Sequence, residues 1–78
     1  MNSDSRIINA HSDTKAAVAA VDDARTALHE LLDEGPKLGG EDRGDASLAR
    51  EGLLIAMTGL RLAEPALARI ADRFEVTL

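Results

Sequence analysis

Ala17, Val21, Ala24, Leu28 and Leu31 recur at spacings of 4, 3, 4 and 3. That rhythm places all five on one stripe of an α-helix, and Val18 and Leu32 widen it. The opposite side carries Lys15, Asp22, Arg25 and Glu30. Ser12 or Asp13 can cap the start by accepting backbone N–H bonds. Gly35 followed by Pro36 supplies a stop, because glycine suits a left-handed cap and proline cannot continue a helix. The pattern predicts a helix over about 13–34.

A second run begins at Asp45 or Ser47. Ala49, Leu53, Ala56, Leu60, Ala63, Leu67, Ile70 and Phe74 follow at 4, 3, 4, 3, 4, 3 and 4. It predicts a helix over about 46–74. Small and large residues mostly alternate along both stripes, so facing layers can pair a leucine with an alanine and fill space. Pro65 lies opposite the second stripe in this register. A kink there would be convex toward water, as long helices already curve, and the expectation is one kinked helix rather than two short ones.

Between the runs lies "DEGPKLGGEDRGDAS", residues 33–47, which holds four of the six glycines and one of the two prolines. Neither helix can bury its stripe without the other, so this stretch reads as a hairpin connection over about 35–44. It is longer than the usual 2–8 residues between packed helices. The fold class is therefore all-α, an antiparallel helical hairpin forming one domain over 12–78. Residues 1–11 read as a flexible segment in which Ile7 and Ile8 could staple onto the first helix. The β-branched ending "EVTL" reads as a fraying terminus.

The second helix carries more apolar surface than one neighbour can cover. Leu48, Ile55 and Leu62 repeat every seven residues off the main stripe, with Leu54 and Met57 adding to the excess. Beside them run Gly52, Gly59 and Ala66. A glycine inside a helix costs roughly 1 kcal/mol relative to alanine, and close approach of another backbone is a physical reason to keep two in phase. Contiguous exposed apolar patches usually mark an interface. The expected interface is Leu48, Gly52, Ile55, Gly59, Leu62 and Ala66, closed by a two-fold homodimer into a four-helix bundle. A heteromeric protein partner in the same groove is the alternative. In length and small/large layering the arrangement looks like Rop, the small plasmid-encoded RNA-binding hairpin dimer, a likeness of architecture that carries no RNA-binding motif with it.

Composition narrows the partners. A chain of 78 residues is one domain at most and buries little surface alone. It has no cysteine, which excludes disulfides and thiolate metal sites. Phe74 is the single aromatic residue, leaving nucleic-acid bases almost nothing to stack on. Fourteen acidic side chains against nine basic give a net charge of −5, whereas a backbone-binding protein carries a basic stripe. Nucleic acid is thus an unfavoured partner. No apolar run approaches the roughly 20 residues of a membrane span, and the start lacks a signal-peptide pattern, so a cytoplasmic location is expected.

Candidate chemistry is sparse. The glycine-rich stretch lacks the Gly-Lys-Ser/Thr ending and preceding strand of a phosphate-binding loop. Arg43-Gly44-Asp45 matches an integrin-binding tripeptide in three residues only. Glu41, Asp42 and Asp45 miss the calcium-loop spacing. His29 and Asp33 sit one turn apart, but two ligands do not make a zinc site. No serine has a nucleophile context. No catalytic, cofactor or metal residue is therefore assigned, and an enzyme is not expected.

One electrostatic feature stands out. Glu30, Asp33 and Glu34 end the first helix, where the macrodipole disfavours negative charge, and Glu41 and Asp42 join them at the same end. This acidic tip could steer a basic partner. The leading functional expectation is a small non-enzymatic interaction protein, an adaptor, regulator or inhibitor, acting through the apolar groove of the second helix. The alternative is an acidic neutraliser of a basic nucleic-acid-binding protein. A Rop-like RNA binder using Arg50, Arg61, Arg69 and Arg73 ranks last.

Overall fold

The computed structural model describes residues 2–33 and 38–78. They form two helices, α1 (Ser3–Asp33) and α2 (Gly40–Arg73). The molecule measures 54 × 18 × 14 Å. At 1.5 Å per residue each helix is roughly 50 Å long, so a 54 Å long axis requires them to lie side by side as a hairpin.

α1 starts ten residues before the expected point. Ser12 and Asp13, the expected caps, lie in its interior. The cap is Asn2, whose side-chain oxygen accepts the Ser5 backbone N–H at 2.9 Å, a bond typical of an N-cap. Residues 3–11, expected as a flexible segment, are thus helical, and Ile7 is one of the buried residues. The contact stripe runs Ile7, His11, Thr14, Val18 and Val21, with His11 and Thr14 half-buried. Polar residues at two stripe positions hide this turn from a count of apolar spacings. Thr14 is accommodated because its hydroxyl donates to the Ala10 carbonyl at 2.7 Å.

α2 also starts early. Gly39 is the N-cap, in extended conformation with no side-chain cap bond, and Glu41 and Asp42 occupy the first turn. Neither Asp45 nor Ser47 caps the helix, and Arg43-Gly44-Asp45 is helical rather than a loop. Carboxylates in a first turn interact favourably with the positive end of the macrodipole, which compensates in part for Gly40 and Gly44. With α1 described to Asp33 and α2 starting at Gly40, at most six residues separate the two helices, within the normal range for packed helices. Gly35 and Pro36, the expected stop, lie outside the described residues.

α2 passes through Pro65 without interruption, and Pro65 is exposed. The hydrogen bond it cannot make would end on the Arg61 carbonyl, also on an exposed residue, where water can replace it. At the C-terminus the expected fraying gives way to a defined cap. Val76 N–H donates to the Ala71 carbonyl at 2.8 Å and Glu75 N–H to the Asp72 carbonyl at 3.2 Å, the two bonds of a Schellman motif. Glu75 takes the left-handed position that motif requires, with φ 56°. A side chain there costs roughly 1 kcal/mol that glycine avoids. Glu75→Gly should therefore raise stability by about that amount in thermal melts, while Glu75→Ala should not.

The interior is thin. Among the described residues, Ile7, Ala46, Met57 and Ala71 are buried. On α1 the expected Ala17, Val21, Ala24 and Leu28 are half-buried, whereas Leu31 is exposed and Leu32 turns inward. On α2, Leu53, Leu60, Ala63, Leu67 and Ile70 are half-buried as expected. Ala49, Ala56 and Phe74 are exposed, and Ala46, Met57 and Ala71 take their places. The helix is rotated so that the larger Met57, and not Ala56, meets α1, which removes more apolar area from water. A radius of gyration of 17.1 Å compares with about 11–12 Å for a compact domain of this length. Two helices in one layer bury little of their own surface.

Candidate functional site

Rotating α2 onto Met57 fixes what its other side presents. Ile55 precedes Met57 by two residues, about 200° of helical turn, and so lies on the far side from α1. Leu48 and Leu62, seven residues either way, share that outer face. The three are 67%, 70% and 69% exposed, alike along the row. Gly52 and Gly59 are exposed beside them, and Ala66 is half-buried. The six expected interface residues therefore form one continuous apolar stripe on the back of the hairpin. Met57, expected to add to this excess, instead belongs to the contact with α1.

The glycines of the stripe sharpen its meaning. A Cβ added at Gly52 or Gly59 would meet nothing within 4 Å. Neither position demands a left-handed backbone, since both lie inside a regular helix. Within one chain, then, nothing prevents alanine there, and alanine would favour the helix by roughly 1 kcal/mol at each site. Nothing within the single hairpin accounts for two glycines in heptad phase.

The other candidates do not converge on chemistry. Glu30, Asp33, Glu41 and Asp42 of the acidic tip are all exposed, and Glu34 lies outside the described residues. Arg43, at the same end, donates from its guanidinium to the Leu32 carbonyl at 3.4 Å. It thereby meets an end carbonyl of α1 and opposes the negative pole of that helix. His29 Nε2 and Asp33 Oδ2 are 3.6 Å apart, with both side chains 70% exposed. No group of three or more potential metal ligands occurs among the described residues.

An open depression of about 250 Å³ lies between the helices, lined by Asp22, Arg25, Thr26, His29 and Arg50. Arg25, expected on the side opposite the α1 stripe, is instead half-buried at this cleft. Arg25 and Arg50 each sit in heptad phase with contact residues, Arg25 seven from Val18 and Leu32, and Arg50 seven from Met57. Charge at such positions was the available signal. The depression mixes both signs of charge, and no described buried side-chain polar atom lacks a partner. It has the character of a solvated cleft edge. Arg50, Arg61, Arg69 and Arg73 spread over roughly 140° of the helix and make no single basic face.

Comparison with family models, with curated proteins and with solved structures finds no match to this chain. No helix among the described residues is long and apolar enough to cross a membrane.

Proposed function

We propose that this protein is a non-enzymatic interaction module, an adaptor, regulator or inhibitor, whose working surface is the outer face of α2. One observation carries the reading: Leu48, Ile55 and Leu62 stand in line, each about 70% exposed, beside glycines with open space around them. A face of this kind accepts another helix, with apolar side chains as anchors and glycines allowing close contact. Burying it, through self-association into a four-helix assembly or against a partner helix, would add the apolar contact that a hairpin with only four buried residues among those described lacks. The acidic tip would act by steering approach rather than by holding the contact.

Site-specific photo-cross-linking in the native host tests this reading. A photoreactive residue at Ile55 is compared with one at Ala20, an exposed position on α1. Adducts to protein, of whatever mass, should form at position 55 and be scarce at position 20. Equal yields at both, or none at 55, would remove the outer face of α2 as the working surface.

A further inference from the structure

Resting on that reading, the geometry points to a specific occupant: a second copy of this chain, with its α2 antiparallel to the first across a two-fold axis midway between Ile55 and Gly59. The apolar stripe does not stop at its six residues. Continued at the same spacing of 3 and 4, it meets Asp45 and Glu41 toward the start of α2. In the other direction it meets Arg69 and Arg73. All four are exposed. The full row thus reads two acids, six apolar residues alternating large and small, and two arginines.

An antiparallel two-fold about the centre of this row makes it complementary to itself at every layer. Ile55 faces Gly59 of the second copy, Leu62 faces Gly52, and Leu48 faces Ala66. Each large side chain meets a small one, the condition for filling an interface without voids. Continuing outward, Arg69 faces Asp45 and Arg73 faces Glu41, each pairing occurring twice in the dimer. The parallel alternative does the reverse. It stacks leucine on leucine, glycine on glycine, acid on acid and arginine on arginine, leaving gaps at the glycines and like charges at both ends.

The charges also have a local reading, because acids at the start of a helix and arginines at its end suit the macrodipole. That accounts for their signs but not for their phase. Glu41 and Asp45 are four residues apart, as are Arg69 and Arg73, and like charges at that spacing repel within a helix. Opposite charges from a second chain would relieve both repulsions. Because the stripe faces away from α1, the four helices would lie in the order α1, α2, α2, α1 as a layer, with the two hairpins back to back. This arrangement differs from a square bundle in that the α1 helices do not touch one another.

The chain has no cysteine, so engineered thiols report register directly. Asp45→Cys and Arg69→Cys are prepared separately, mixed and oxidised. The mixture should give a disulfide-linked heterodimer. Arg69→Cys alone should give little, because the two copies of that position stand roughly 36 Å apart along an antiparallel pair. Efficient linkage of Arg69→Cys to itself would overturn the antiparallel register. A second measurement uses charge reversal under sedimentation. Arg69→Glu should weaken self-association about tenfold, and Asp45→Arg combined with Arg69→Glu should restore it to within about threefold, both effects shrinking with added salt. Failure of the double variant to recover would overturn the pairing. A wild-type chain that stays monomeric at all concentrations would overturn the second copy as occupant. Photo-cross-links from position 55 to other proteins alone would have the same consequence, yet would leave the outer face of α2 standing as an interaction surface.

Discussion

Replacing Gly52 and Gly59 together with alanine should stabilise the isolated hairpin and weaken its association, two effects of opposite sign from one change. In a dilute, monomeric sample each substitution removes the backbone-entropy cost of a helical glycine, and the new methyl meets open space. The expected gain is about 2 kcal/mol for the pair, read as a rise in Tm. In the associated state the same methyls stand where another helix approaches most closely. Inserting methyl groups into a packed contact typically costs 1–3 kcal/mol, so association should weaken by roughly tenfold or more in sedimentation equilibrium. A variant that is more stable and associates as well as the wild type would remove the close-approach explanation for these glycines. A loss of monomer stability would instead show that the outer face of α2 is not open.

How far the sequence discloses this fold depends on which residues occupy the stripe. On α1 the heptad spacing identifies the inward face through Ala17, Val21, Ala24 and Leu28, all half-buried. It fails upstream, where His11 and Thr14 occupy stripe positions and interrupt the apolar count. Asn2 was nonetheless a visible capping residue, and its bond to Ser5 starts the helix. On α2 two heptad registers share Leu53, Leu60 and Leu67 and differ only in what lies between them. The register through Ala49 and Ala56 is apolar throughout, whereas the one adopted at their level passes Arg50 and Met57, and near the C-terminal end Ala63 and Glu64 are both half-buried. Counting apolar residues favours the first. Side-chain volume favours the second, because burying a methionine removes more area from water than burying an alanine.

The outer stripe was legible for a related reason. Leu48, Ile55 and Leu62 are offset from either inward register, so rotating the helix from Ala56 to Met57 left them exposed. The charged ends of the same stripe were harder to see. Glu41 falls in what reads as a glycine-rich loop, and Asp45 reads as a cap at the start of the next helix, until α2 is found to begin at Gly40. Only then do they share a helix with Arg69 and Arg73. The acidic character of the connection is thereby divided into parts with different roles. Glu41 and Asp42 face the positive pole of α2, and Arg43 reaches back to the end of α1.

The sharpest test of this rotation is a pair of truncations two residues apart. Met57 is 3% exposed and Ile55 is 70% exposed. Met57→Ala removes most of the one large side chain buried on α2 and leaves a cavity against α1. Such changes cost roughly 2–5 kcal/mol where the surroundings cannot collapse. A slender two-helix layer can partly close the gap, which places the expected loss near the lower end, about 2–3 kcal/mol. Chains of this length have a total stability of about 4–12 kcal/mol, and one with so thin an interior belongs low in that range. Met57→Ala should therefore leave a substantial unfolded population at physiological temperature, seen as a lowered and broadened transition by circular dichroism. Ile55→Ala in the same dilute sample should stay within about 0.5 kcal/mol of wild type, since an exposed isoleucine is exchanged for a better helix former. At concentrations that favour association the contrast should narrow, because Ile55 is then buried while Met57 keeps its place against α1. If Ile55→Ala were the more destabilising change under dilution, α2 would face α1 through the opposite stripe, and the outer surface would have to be sought around Met57.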